Sequence, residues 1–201
     1  MTTFAQMQSL VIAQTRRPEI TDVTDAAIRS ATLRAHHIDF FPRDLSSGVL
    51  TYTPSSSSLF YDFSNVTSSL PRLRSIKAAQ SVDSITFTPT EVLEYRDSSD
   101  LYDADRNRRL HTYTLIGDTL RIYPVSATGA VELYYYRNPD ISSALYSSWI
   151  ADAYSDELAM WAAAIVFART GFAEMANQIT REHIAPFKEL LVSSHLLGEV
   201  N

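Results

Sequence analysis

The chain of 201 residues contains no cysteine. That excludes disulfides, thiolate metal sites and a cysteine nucleophile. It also has no apolar run of the roughly 18 residues that a membrane span needs; the longest runs from Met160 to Ala168. The opening MTTFAQMQSLVIAQTRR lacks the basic start and apolar stretch of a secretory signal, so none is expected. Cationic excess is missing too. There are 17 Lys and Arg against 23 Asp and Glu, a net charge of −6. A protein that grips nucleic acid needs cations for the phosphates, so this balance argues against one. It does not bar a surface past which DNA slides. Nucleotide-binding glycine loops and the nucleophile elbow of serine hydrolases are absent. The carboxylates are scattered, and no two are marked as an acid–base pair. No repeat of 20–50 residues is visible. No catalytic metal, nucleotide or other cofactor is expected.

What is present is ordinary for a globular protein: 45% hydrophobic and 20% charged residues. The length suits one domain or two small ones. Tyrosine dominates the aromatics, 11 against 2 Trp, which favours sheets and interfaces.

Periodicity divides the chain. Thr3 and Gln6 form a capping-box pattern before a stripe of Phe4, Met7, Leu10 and Val11. Arg16-Arg17-Pro18 ends that helix. A second begins near Thr21 or Asp22 and carries Val23, Ala27, Ala31, Ala35 and Ile38; Phe41-Pro42 stops it. From Gly48 to Arg137 the period becomes two. Candidate strands are Val49 to Thr53, Leu59 to Phe63, Arg72 to Ala78 and Val82 to Phe87, with three more centred near Thr114, Ile122 and Leu133. Gly117-Asp118 is a two-residue hairpin loop. Thr88-Pro89-Thr90-Glu91 reads as a helix start, predicting a short helix over Pro89 to Asp97. A charged loop follows, Ser98 to Arg109. The helical period returns after Ser147. Ser155 can cap a helix with Asp156 and Glu157 in its first turn and a buried face of Leu158, Trp161, Ala162, Ile165 and Ala168. Gly171 should stop it. The last helix carries Phe172, Met175, Ile179, Phe187, Leu190 and Leu191, with Pro186 kinking or restarting it. The fold class is therefore α+β. A helical bundle of residues 1–46 and 140–201 holds an inserted antiparallel β domain, sandwich or barrel-like, at 47–139.

Few residue groups suggest chemistry. Asp103-x-Asp105-x-Asn107 opens like a calcium loop, but Arg108 stands where Gly is needed and Thr114 where the bidentate Glu belongs. A solvated charged loop is the better reading. His36 and His37 are adjacent and point about 100° apart on a helix, so they cannot share a metal. His183 and His195 are separated by Pro186. Cations cluster at Arg72, Arg74 and Lys77 and at Arg106, Arg108 and Arg109, without interleaved aromatics for base stacking. In a strand, Tyr134 and Tyr136 face one way and Tyr135 the other, which suits either a strand buried on both faces or an interface.

A series of residues carries a resemblance. It runs Arg17-Pro18-Glu19-Ile20, Phe40-Phe41, Tyr61-Asp62-Phe63 and Leu70-Pro71-Arg72-Leu73 before Ile76. It continues with Leu120-x-Ile122-x-Pro124, then Leu133 to Pro139, then Trp149-Ile150 before the Tyr154 to Leu158 helix start. Over nearly its whole length the chain resembles the head-to-tail adaptor (connector) proteins of tailed bacteriophages, especially short-tailed ones. The resemblance implies a virion structural protein without enzyme activity, assembled in the host cytoplasm. It implies a ring of about twelve copies, joined by heterologous contacts, that docks on the portal protein and receives a tail nozzle or tail-tube protein. Genomic DNA would pass through the lumen without sequence-specific binding, and no membrane is involved. Candidate subunit contacts are Ala27, Ala31, Ala35, Tyr134, Tyr136, Arg72 and Arg74. The candidate portal contact is the C-terminal segment with Phe187, Leu190, Leu191, Leu196 and Leu197. Candidate tail-side loops hold Ser55, Ser56, Ser57 and Ser58, and Arg106, Arg108 and Arg109. The alternatives are a tail-tube or nozzle subunit and, from other classes, a small cytoplasmic hydrolase or binding module.

Overall fold

The computed structural model describes residues 1–53, 60–86, 88–97, 110–123 and 129–198, with backbone only after Ser193. The chain forms two compact units. One comprises Met1–Asp44 and Asn138–Asn201, the other Leu45–Arg137.

The first unit is helical. In α1 (Phe4–Thr15) the Thr3 hydroxyl accepts from the Gln6 N–H while the Gln6 side-chain Oε1 accepts from the Thr3 N–H. Two of the four orphan donors of the first turn are thereby satisfied. Phe4, Met7 and Val11 point inward. Arg16 closes the helix in the left-handed region, φ 56. In α2 (Thr21–His36) the buried face is Ala27, Ile28, Ala31 and Ala35. After α4 (Trp149–Ala153) comes α5 (Ser155–Arg169), against which α1, α2 and α6 (Ala173–Ile179) all pack. This is why α5 is buried on almost every side, at Leu158, Ala159, Trp161, Ala162, Ala163, Ala164, Val166 and Phe167. The expected stripe was too narrow and turned: Ala168 is exposed and Ile165 half-buried. Gly171, φ +87, ends the run as its spacing suggests. The last helix is interrupted before Pro186 and restarts as α7 (Ala185–Gly198), as the proline suggested. Pro186 cannot donate to the Glu182 carbonyl, and the turn before it widens. Thr180–Ile184 is π-helical, with the Ala185 N–H bonded to the Thr180 carbonyl. Both tryptophans, Trp149 and Trp161, lie in this unit.

The second unit is a curled seven-stranded sheet in the order β1-β7-β3-β4-β5-β6-β2. Its strands are β1 (Leu45–Thr51), β2 (Tyr61–Ser64), β3 (Leu73–Asp83), β4 (Pro89–Tyr95), β5 (Thr112–Ile116), β6 (Thr119–Tyr123) and β7 (Gly129–Arg137). The short α3 (Val66–Ser69) lies between β2 and β3. Three expectations need correction. The sheet is not wholly antiparallel, because β4 and β5 pair in parallel at Glu94–Thr112 and Tyr95–Tyr113. Pro89 to Asp97 is not a helix: Pro89–Tyr95 is β4, paired with β3. The local capping pattern loses because Leu93 can be buried against Ala79 in the sheet, where Val92 and Tyr95 also suit a pleated surface. Arg72 to Ala78 and Val82 to Phe87 are not two strands: the single long β3, Leu73–Asp83, takes in most of the first and only the start of the second, with a register shift between Ser81 and Val82, and residues 84–86 form a turn. The hairpin is as read. Leu115 pairs with Leu120 and Ile116 with Thr119, around Gly117 at φ +60.

The inner face of the curl holds Leu50, Ala79, Leu93, Tyr113, Leu120, Ile122, Val131, Leu133 and Tyr135. Leucine or isoleucine at such a site contributes about 1.5–3 kcal/mol. The edge strands approach through side chains. Tyr52, just after β1, stacks on Tyr61 at 4.1 Å and meets Phe63 edge-on at 5.9 Å, both on β2. Gly48 is required for a different reason from a turn glycine. A Cβ there would stand 2.6 Å from Leu70 Cδ2, a side chain that is itself fully buried.

Candidate functional site

A buried polar cluster lies in the helical unit. His36 ends α2, Asp44 lies in the one-turn helix after it, and Ser148 and Trp149 begin α4. His36 Nδ1 lies 2.9 and 3.0 Å from the two Asp44 carboxylate oxygens, and His36 Nε2 lies 2.9 Å from Ser148 Oγ. The Trp149 indole N–H donates to Asp44 at 2.9 Å. In the neutral ring, an Nδ1–H donating to Asp44 leaves Nε2 to accept the Ser148 hydroxyl proton. The connectivity Ser–His–Asp is that of a hydrolytic triad. Its surroundings are not those of an active site. His36, Asp44 and Ser148 are 2%, 3% and 4% exposed, and Ser148 Oγ also accepts the Ala151 N–H as the cap of α4. A carbonyl substrate cannot reach this hydroxyl without opening the core. Phe41 and His36 meet the Trp149 ring edge-on at 5.3 and 5.7 Å, and the Arg43 guanidinium lies over it at 5.2 Å. The cluster ties the end of α2 to the start of α4, joining the two sequence segments of the unit.

The candidate contact residues fall into three groups. Ala27, Ala31 and Ala35 are fully buried in the chain's own helical core, as are Phe187 and Leu191. Phe187 packs on Tyr154 and Trp161. Tyr136 is 9% exposed, with Lys77 over its ring. The second group faces outward. Leu190 is 44% exposed on α7. Arg72 is exposed with φ 63, and Arg74 is half-buried. Tyr134 is half-buried, and its hydroxyl donates to Glu132 at 3.1 Å while Gln80 donates to the same carboxylate. That bond to Glu132 raises the Tyr134 phenol above its usual range. The third group lies outside the described residues: Ser55 to Ser58, Arg106, Arg108, Arg109 and the Asp103 to Asn107 run. The side chains of Leu196 and Leu197 lie outside them as well.

The sequence matches the SU10 adaptor protein family over residues 2–191, through both units. The chain belongs to the SU10 adaptor protein family. This gives it the role of a phage structural adaptor and agrees with the resemblance drawn from its prolines and aromatics. No curated protein matches the chain. Among the described residues of this adaptor, no helix is long and apolar enough to cross a membrane, and no group of three His, Cys, Asp or Glu could hold a metal ion.

Sequence reasoning missed the adaptor's polar cluster. Asp44 and Ser148 are 8 and 112 residues from His36, and nothing local distinguishes them from surface residues. One signal was available: a His at the last position of an apolar-striped helix is well placed for burial. It also missed Arg121, held bidentately by Asp62 at 2.7 and 2.7 Å and lying 4.1 Å over the Phe60 ring. That carboxylate pushes the guanidinium pKa up still further.

Proposed function

We propose that copies of this chain form the ring that joins the DNA-filled head of a tailed phage to its tail, docking on the portal and receiving the tail nozzle. The observation that carries the reading is the family match, which takes in both units. Several features support it. In this reading the N- and C-terminal helices act as one bundle that scaffolds the ring, with the β domain inserted between them. A ring of about twelve copies needs two different, complementary faces on each subunit. Arg72, Arg74 and Tyr134 supply a polar outward face on the β unit. The exposed Leu190 and Val192 on α7, 44% and 37% exposed, supply an apolar one for the portal. The net charge of −6 suits a lumen through which DNA moves without being gripped. The chain catalyses nothing in this reading, since the hydroxyl of its Ser–His–Asp cluster is committed to capping α4.

The test is negative-stain imaging of the purified protein, alone and mixed with its portal. Closed rings seated on the portal are expected. Absence of rings in both samples would sink the reading. Truncation after Leu191 keeps Phe187 and Leu191, so the helical core should remain folded by circular dichroism while portal binding falls. Full binding by the truncated chain would remove the residues after Leu191 from the contact.

A further inference from the structure

The helical unit has an open groove of about 890 Å³, floored by α5 and walled by α2 on one side and by α6, the π turn and α7 on the other. Its walls follow helical spacing. Ser30 and Arg34 lie on α2 and His37 caps its end; Thr180, Ile184 and Lys188 follow one another at intervals of four on the opposite wall. The floor is Ala164, Ile165 and Ala168. Ala168 is exposed and Ile165 half-buried, so the floor is apolar surface open to solvent. Ala176 adds a further small side chain at one end. The twelve steps along the chain from Ala176 to Lys188 set a length of about 18 Å at ~1.5 Å per residue. The small side chains make the groove shallow and broad enough for another backbone to approach closely.

Its charge is the second observation. The whole chain is acidic, at −6, yet none of the described side chains lining the groove is acidic, while Arg34 and Lys188 face each other across it. Arg34 has no ion pair among the described residues. Lys188 lies 5.1 Å over the Trp161 ring, which places its ammonium over the groove without neutralising it. Two cations flank an apolar, small-residue floor on a protein that otherwise has carboxylates to spare.

We propose that this groove receives an amphipathic α-helix from another protein, with apolar residues at i, i+3, i+4 and i+7 against α5 and carboxylates on its flanks toward Arg34 and Lys188. Such an occupant would complete a layer of helices around α5. A basic helix is excluded by like charge on both rims, and like-charge juxtaposition is an effective discriminator. The proposal rests on the groove and holds whether or not the chain forms a ring.

The test uses the full-length chain and a fluorescein-labelled synthetic peptide of about 12 residues, the number that spans the groove. The peptide has leucines at i, i+3, i+4 and i+7 and glutamates on both flanks. A mirror peptide replaces every glutamate with lysine. Fluorescence anisotropy should show saturable binding of the acidic peptide, at least about tenfold tighter than the mirror, a free-energy gap of about 1.4 kcal/mol. The double variant R34E/K188E should reverse the preference. Both positions are exposed, so it should keep the wild-type circular dichroism spectrum. Ala168→Trp, also at an exposed site, fills the floor and should abolish binding of either peptide. Failure of the acidic peptide to bind, equal binding of the two peptides, or an unchanged preference in the double variant would each overturn the proposal. So would concentration-dependent self-association of the wild type that Ala168→Trp removes, because a second copy would then be the occupant.

Discussion

Asp44 is a buried carboxylate held by two other side chains of the helical unit. It accepts from both His36 and the Trp149 indole while almost completely buried. Asp44→Ala removes the acceptor and leaves both donors buried without one, which should cost about 3 kcal/mol, read from urea denaturation. Trp149→Phe removes one donor only and should cost less, about 1–2 kcal/mol including lost packing. The same geometry predicts that Ser148 does not react with a fluorophosphonate probe in the folded protein; stoichiometric labelling would show that the cluster opens. Tyr146 gives a pH prediction. Its phenol is pushed up by burial, partly offset by the hydrogen bond with Thr32 at 2.8 Å. A folded pKa above the unfolded value means the folded state holds this proton more tightly. Its contribution is complete below the unfolded pKa of about 10 and is lost as pH rises through the folded one. Tyr146→Phe should therefore lessen the alkaline loss of stability above about pH 10, as followed by circular dichroism against pH. Thr32 still donates to the Ile28 carbonyl in that variant, so no buried hydroxyl is stranded.

At the scale of elements, local signals and sheet pairing compete. The capping box of α1 and the Gly117-Asp118 hairpin were legible because each is complete within a few residues. The Thr88 to Glu91 pattern was equally local and misled, because the partner that decides the matter is β3, and its Leu93–Ala79 contact is invisible from within the segment. The alanine stripe of α2 was legible as a close-contact face, but the neighbour it contacts is α5 of the same chain. Ala31→Arg should accordingly unfold the helical unit rather than yield a folded monomer, with a loss of about 4 kcal/mol or more for a charge forced into a core. Its thermal melt compared with wild type decides this. Gly48 on β1 has a similar hidden partner. Gly48→Ala pushes a methyl group against the end of the buried Leu70 side chain, which must shift, and should destabilise the β unit by about 1–3 kcal/mol, measured by hydrogen exchange of the β1–β7 ladder amides.

Over the whole molecule, the change of period from 3.6 to two and back corresponds to chain segments that leave and re-enter one helical core. Asp44 and Asn138 mark the exchange between the two compact units. Family membership was legible from spaced prolines and aromatics, which the sequence shows directly. The polar cluster and the groove were not, because both are made by helices that come together only on folding. One consequence concerns spectroscopy. Both indoles sit in the helical unit, one hydrogen-bonded to a buried carboxylate and the other beneath an ammonium group, whereas residues Leu45–Arg137 contain tyrosine but no tryptophan. Excitation at the red edge of the absorption band therefore interrogates one half of the molecule and leaves the other dark. A Gly48→Ala lesion, placed in the dark half, turns the emission trace into a gauge of cooperativity: displacement of its midpoint would measure how strongly melting of the sheet is transmitted to the helices.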